Sequence, residues 1–118
     1  MANKPFGPKA HCTIDYGFVA TLFLAPGLFG LKGAARTLCY LFGGAAGVLT
    51  ALTNQPFAWR RVVSFRVHGQ VDTPFVPTLL LLPWATGALK QRNSHRFFFT
   101  FTTVVLINYL STNYDASE

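Results

Sequence analysis

The chain has 118 residues, a formal net charge of +6 and a charged fraction of 12%, about half of the roughly 25% usual in soluble domains. Its ten Lys and Arg and four Asp and Glu fall into five clusters, separated by uncharged runs of 16, 23, 17 and 18 residues, near the ~17–25 residues that an apolar helix needs to cross a bilayer. This excludes a disordered chain, a coiled coil and a disulfide-stapled secreted module, argues against a soluble catalytic domain, and predicts an all-α membrane protein with four transmembrane helices.

After an N-terminal tail (1–9), the first predicted helix runs from Ala10 to Leu31 and contains Pro26, which removes a backbone hydrogen bond and predicts a kink. The second carries Cys39, Gly43, Gly47 and Ala51 at a spacing of four. These small residues share one face, which suits close approach of another helix of the bundle, a partner subunit or a planar pigment. Residues 57–67 form a linker in which Phe57 and Trp59 are interleaved with Arg60, Arg61 and Arg66, a mixture suited to the lipid headgroup layer, and Trp84 is assigned to the same interface. Pro74 and Pro77 would break a helix starting at His68, so the third helix is expected to begin near Thr73, with Asp72 as N-cap and Pro74 in its first turn. Pro83 repeats the kink of Pro26. The fourth helix, FFFTFTTVVLINYL, offers three threonines and Asn108 for contacts between helices, and a short tail (115–118) follows.

The chain also matches itself at an offset of 57 residues. HCTIDYGFVATLFLAPGLFG, from His11, aligns with HGQVDTPFVPTLLLLPWATG, from His68, with nine of twenty positions identical, and after a two-residue insertion Thr53-Asn54 aligns with Thr112-Asn113. The expected organisation is therefore two parallel, pseudo-symmetric two-helix repeats, 10–56 and 68–114, which return the chain to the same side and bring His11, Asp15, His68 and Asp72 to one depth. The doubled unit of H-x-x-x-D, an apolar run and a Pro-containing tripeptide resembles the SPW-repeat family of small bacterial integral membrane proteins. The resemblance spans about residues 10–115, with the Ser-Pro-Trp signature replaced by Ala25-Pro26-Gly27 and Leu82-Pro83-Trp84. It implies a multi-pass protein of the bacterial inner membrane and no particular activity.

The doubled H-x-x-x-D is the one constellation with chemistry. Residues four apart share a helix face, so two His/Asp pairs brought together would supply a zinc or iron ligand set, or bis-histidine haem ligation by His11 and His68. The competing readings are a proton relay and structural capping, in which each Asp stabilises a helix N-terminus and its His bridges to it. His95 falls in a basic turn, as a solvated side chain. Cys12 and Cys39 are expected at opposite ends of their helices, too far apart to bridge. No cleavable signal is expected, because the segment that could imitate one recurs at 68–87. Lys and Arg divide five against five between the two ends, so the positive-inside rule does not orient the chain; both termini are placed in the cytoplasm. The basic residues form no single patch, which disfavours nucleic acid as a partner.

With no nucleophile or phosphate-loop motif, the leading functional expectation is a non-enzymatic accessory or scaffolding subunit of a larger membrane complex, respiratory or photosynthetic. Its expected partners are membrane lipids and other membrane subunits. The alternatives are a metal- or haem-binding membrane protein, with a bound pigment or lipid as a further cofactor candidate, and a small transporter or channel.

Overall fold

In the computed structural model, which describes residues 4–117, turn-forming glycines and short polar stretches divide the chain into four helices: α1 Pro8–Phe29, α2 Ala34–Ala51, α3 Phe65–Ala85 and α4 Arg92–Leu110. Proline at the start of α1 matches the helix backbone where no N–H partner is needed. Gly30 ends α1 in the left-handed conformation (φ 66°), which lets the Leu31 N–H reach back to the Pro26 carbonyl at 3.0 Å. Ser64 caps α3, its hydroxyl accepting the Val67 N–H at 3.2 Å. A 3₁₀ turn at Ala88–Lys90 leads into α4, whose first turns include His95, its ring tilted against Phe99 at 4.5 Å; the expectation of a basic turn there is corrected to helix.

The third helix departs most from expectation. It runs unbroken through Pro74, Pro77 and Pro83, and its N-cap is Ser64, not Asp72, which lies two turns inside the helix. Three lost N–H donors would end an isolated helix. Here the residues ahead of the prolines are anchored by packing, with Phe65, His68 and Gly69 all buried, so tertiary contacts override local preference. Neither α1 nor α3 has an acidic residue in its first turn, so helix-end stabilisation by Asp15 and Asp72 is not what the fold uses.

The helices close into a four-membered ring: α1 packs mainly on α2 and α3 on α4, with α2–α3 and α1–α4 completing it, and α1 and α3 on the diagonal. The small-residue face of α2 is consumed inside the first hairpin. A Cβ built at Gly43 would stand 3.0 Å from the Phe23 ring and 3.3 Å from the Leu22 Cβ, and one at Gly47 3.4 Å from Val19. At those positions no planar pigment fits. The interior has two zones. Towards the short α1–α2 and α3–α4 connections it is apolar, with Leu22, Phe42, Leu79, Phe98 and Phe101 at its centre. Towards the termini it is polar, holding His11, Thr53, His68, Asn108 and Thr112, all buried.

Among the described residues, α1 alone is long and apolar enough to cross a membrane by length and composition. The fold therefore contains the four helices expected, and one of them meets the criterion for a span.

Replacing Gly43 by valine overpacks the α1–α2 contact and is expected to cost about 1–3 kcal/mol. Gly44→Ala, whose added carbon meets open space, should leave stability unchanged or raise it slightly. Thermal unfolding of the two variants side by side checks this assignment of faces; equal behaviour would contradict it.

Candidate metal centre

His11 and Asp15 lie one turn apart on α1, as do His68 and Asp72 on α3. Because α1 and α3 face each other across the bundle, the two pairs meet. His11 Nε2 lies 3.0 Å from Asp15 Oδ2 and 3.1 Å from Asp72 Oδ2. His68 Nε2 lies 3.0 Å from Asp15 Oδ2 and 3.2 Å from Asp72 Oδ2. The result is a ring in which nitrogens and oxygens alternate, each atom touching both atoms of the other kind, and all within 4.8 Å of one another. Both imidazoles are buried, at 2% and 0% exposure, so the ring is shielded from bulk water.

The opposite edges of the imidazoles fix their tautomers. His68 Nδ1 is 2.8 Å from the Thr53 hydroxyl, and that hydroxyl donates its proton to the Leu49 carbonyl at 2.6 Å. His11 Nδ1 is 2.7 Å from the Thr112 hydroxyl, which donates to the Asn108 carbonyl at 2.5 Å. A hydroxyl has one proton, so each threonine oxygen must accept from its histidine, and both Nδ1 atoms carry hydrogen. Both Nε2 atoms are thereby turned towards the ring, the arrangement that outer partners impose on metal-ligating histidines.

The contacts occur in matched pairs. Thr53 and Thr112 stand 59 residues apart, like the carbonyl partners Leu49 and Asn108. Two parallel bridges, Thr53 with Val63 and Phe6 with Thr112, bind the end of each hairpin to the segment entering the other one's first helix. Asn54 N–H donates to the Val63 carbonyl at 2.7 Å, and Asn113 N–H to the Phe6 carbonyl at 2.8 Å.

Outside the ring the match ends. Asn108 Nδ2 donates to Asp15 Oδ1 at 3.3 Å, and the Tyr114 hydroxyl donates to Asp72 Oδ2 at 2.8 Å. Gly69 makes room for Tyr114: a Cβ there would stand 2.5 Å from the ring. The Tyr114 ring packs edge-on to His11 at 5.1 Å, and Phe65 lies 5.1 Å from Tyr114 and 5.6 Å from His11, so the three rings form a cluster that closes the site at the terminal end of the bundle. Burial, and next to it the Asp72 carboxylate, push the Tyr114 phenol well above its usual range, so it remains a donor.

Of the residues singled out in the sequence, His11, Asp15, His68 and Asp72 come together. Haem is corrected on geometry: the two carboxylates occupy the space between the imidazoles that a porphyrin would fill. The adjoining cavity of about 70 Å³ is also far too small for a tetrapyrrole. Pro26 and Pro83 lie within α1 and α3, and Cys39 is buried in the α2 packing. Phe57, Trp59 and Trp84 are exposed. Arg60 stacks over Trp59 at 4.9 Å, Arg66 pairs with Asp115 at 2.8 Å, and Arg61 is exposed. Sequence reasoning missed Thr53, Thr112 and Tyr114 as site residues; the aligned Thr-Asn pair was the available signal for the first two, and nothing local marks the third.

Comparison with protein-family models, curated proteins and solved structures gives no match.

Thr53→Val and Thr112→Val each leave a buried imidazole N–H without an acceptor and are expected to cost about 1–3 kcal/mol, by similar amounts, with serine restoring most of the loss. Thermal unfolding measures this; a neutral valine at either position contradicts the tautomer assignment.

Proposed function

We propose that this chain is a multi-pass membrane protein, built of two parallel pseudo-symmetric hairpins, that holds one first-row transition-metal dication in the ring of His11, Asp15, His68 and Asp72. The observation that carries the reading is convergence. Two ordinary His–Asp ion pairs would each aim one Nε2–H along a line to one oxygen, whereas here each Nε2 faces two carboxylate oxygens at nearly equal distance. The middle of a ring with edges of 3.0–3.2 Å lies on average no more than about 2.2 Å from its corners, within reach of the ~2.0–2.2 Å of zinc–imidazole and zinc–carboxylate bonds. Two neutral imidazoles, two carboxylates and a dication are also charge-balanced, as a buried site requires. Zinc and iron(II) both suit this donor set.

Membrane placement is supported by α1, which is long and apolar enough to span, and by large apolar side chains turned outward on all four helices: Leu24, Leu41, Leu81 and Ile107 are each more than half exposed. In water such a belt would be a liability; in lipid it is the expected surface. The resemblance to the SPW-repeat family supports the same placement, in a bacterial inner membrane. The metal then ties α1 to α3 across the bundle and rigidifies a small non-enzymatic subunit, whose outward apolar belt takes lipid or the neighbouring subunits of a respiratory or photosynthetic complex.

The test is elemental analysis and calorimetric zinc titration of the purified, chelator-treated protein. One dication per chain is expected, with about two protons released on binding, because in the metal-free ring the Nε2 atoms must carry hydrogen to face acceptor-only carboxylates. Asp15→Asn or Asp72→Asn, similar in shape but uncharged, should weaken binding at least tenfold. An absence of saturable binding would show that the ring is a proton-bridged clasp and end the metal reading.

A further inference from the structure

Beneath the ring, on the side facing the apolar core, lies a cavity of about 70 Å³ bounded by the ring itself and by Phe18, Phe75 and Phe101. Two of its lining residues, 1% and 4% exposed, carry a side-chain oxygen that has no hydrogen-bond partner among the described residues: Thr50 Oγ1 and Asn108 Oδ1. Asn108 is held in orientation by its other end, since only the amide nitrogen can serve the Asp15 carboxylate. Its oxygen is therefore a committed acceptor, on a residue that lines the cavity. A buried acceptor left without a donor is costly, and native structures satisfy nearly all of them.

The cavity has a way in. It reaches the surface between α2 and α3, where Ala45 and Val71 both line it and are exposed. By the 59-residue offset, the counterparts of Ala45 and Ala46 on α4 are Val104 and Val105, each larger by two methyl groups. The smaller pair leaves the α2 edge of the cavity less filled than valines would. In the membrane placement proposed above, that opening faces the hydrocarbon layer.

We infer that this cavity is a binding site for an uncharged, hydroxyl-headed, single-chain lipid that enters sideways between α2 and α3 and bridges Asn108 Oδ1 and Thr50 Oγ1 with its hydroxyl. The hydroxyl is the group that fits both wall atoms, donating to the amide oxygen and accepting from the threonine. A charged head is disfavoured, because the ring is already charge-balanced and the rest of the wall is apolar. The volume sets how much of the ligand enters. An apolar cavity of about 150 Å³ accommodates benzene, so this one takes roughly the hydroxyl and its first two carbons, and the chain leaves through the gap at Ala45. The inference rests on the membrane reading for the source of the ligand; the site itself requires no metal.

The test uses the full chain in detergent with a diazirine-bearing 1-octanol as photoprobe, and the matched hydrocarbon lacking the hydroxyl as its control. Mass-spectrometric mapping should place the alcohol adducts on cavity residues such as Ala46, Phe75 or Val105, at least tenfold above the hydrocarbon. Ala46→Phe should abolish that labelling by filling the space. Because Ala46→Phe could fail to fold, the isosteric Thr50→Val provides the second arm: it removes only the hydroxyl and should lower labelling at least fivefold. Equal labelling by both probes, adducts confined to outward residues such as Leu24 and Leu81, or undiminished labelling of Thr50→Val would each overturn the inference, as would no cavity labelling at all, which would leave the space to water. Zinc titration of the same samples keeps this outcome separate from the metal reading, since neither substitution replaces a ring residue.

Discussion

Four donor atoms, two imidazole nitrogens and two carboxylate oxygens, converge on one point between α1 and α3, and the rest of the terminal end of the bundle is arranged around them. Helices on the diagonal of a four-helix ring touch little through their backbones, so something must reach across. Here the reach is made by His11, Asp15, His68 and Asp72. Burying four such groups would be prohibitive singly; it is sustainable because they neutralise one another and because both Nδ1 atoms and both carboxylates take further hydrogen bonds from outside the ring. The threonines occupy Nδ1, while Asn108 and Tyr114 hold the carboxylates. Remove that outer shell and the imidazoles could rotate away.

The same constraint explains the third helix. A stretch with prolines at 74 and 77 has little reason to be helical beyond its neighbours, yet it must present His68 and Asp72 on one face. Anchoring of His68 by Thr53, and of Gly69 against Tyr114, fixes the helix ahead of the prolines. The bridges joining Phe6 to Thr112 and Thr53 to Val63 extend this: each hairpin's last residues hold the entry to the other's first helix, so the two halves are clasped at the end where the ring lies. The opposite end relies on phenylalanine packing, with Phe42 edge-on to Phe98 and Phe97 stacked on Phe101.

Much of this was legible in the sequence because it is repeated there. The 57-residue offset brought both His/Asp pairs forward, and helical spacing four put each pair on one face. What could not be read was set by long-range contact. Nothing near Gly69 indicates that a ring from residue 114 will lie on it, and nothing near Asp72 says that the helix will pass through two prolines. The cavity was hidden for a similar reason: Ala45 and Ala46 look like ordinary small residues of a packed helix, and only their position against Val71 makes them the sill of an opening. The small-residue face suits another helix of the bundle, a partner subunit or a planar pigment by sequence, and at Gly43 and Gly47 it is Phe23, Leu22 and Val19 of α1 that lie against it.

The account stands on the nature of the ring, and zinc K-edge X-ray absorption on the zinc-loaded protein probes it directly. A first shell of light atoms at about 2.0–2.2 Å, carrying the outer-shell scattering of two imidazoles and lost in His11→Ala/His68→Ala, is the predicted result. A shell of oxygens alone, or a sulfur distance near ~2.3 Å that would indicate cysteine ligation, would contradict it.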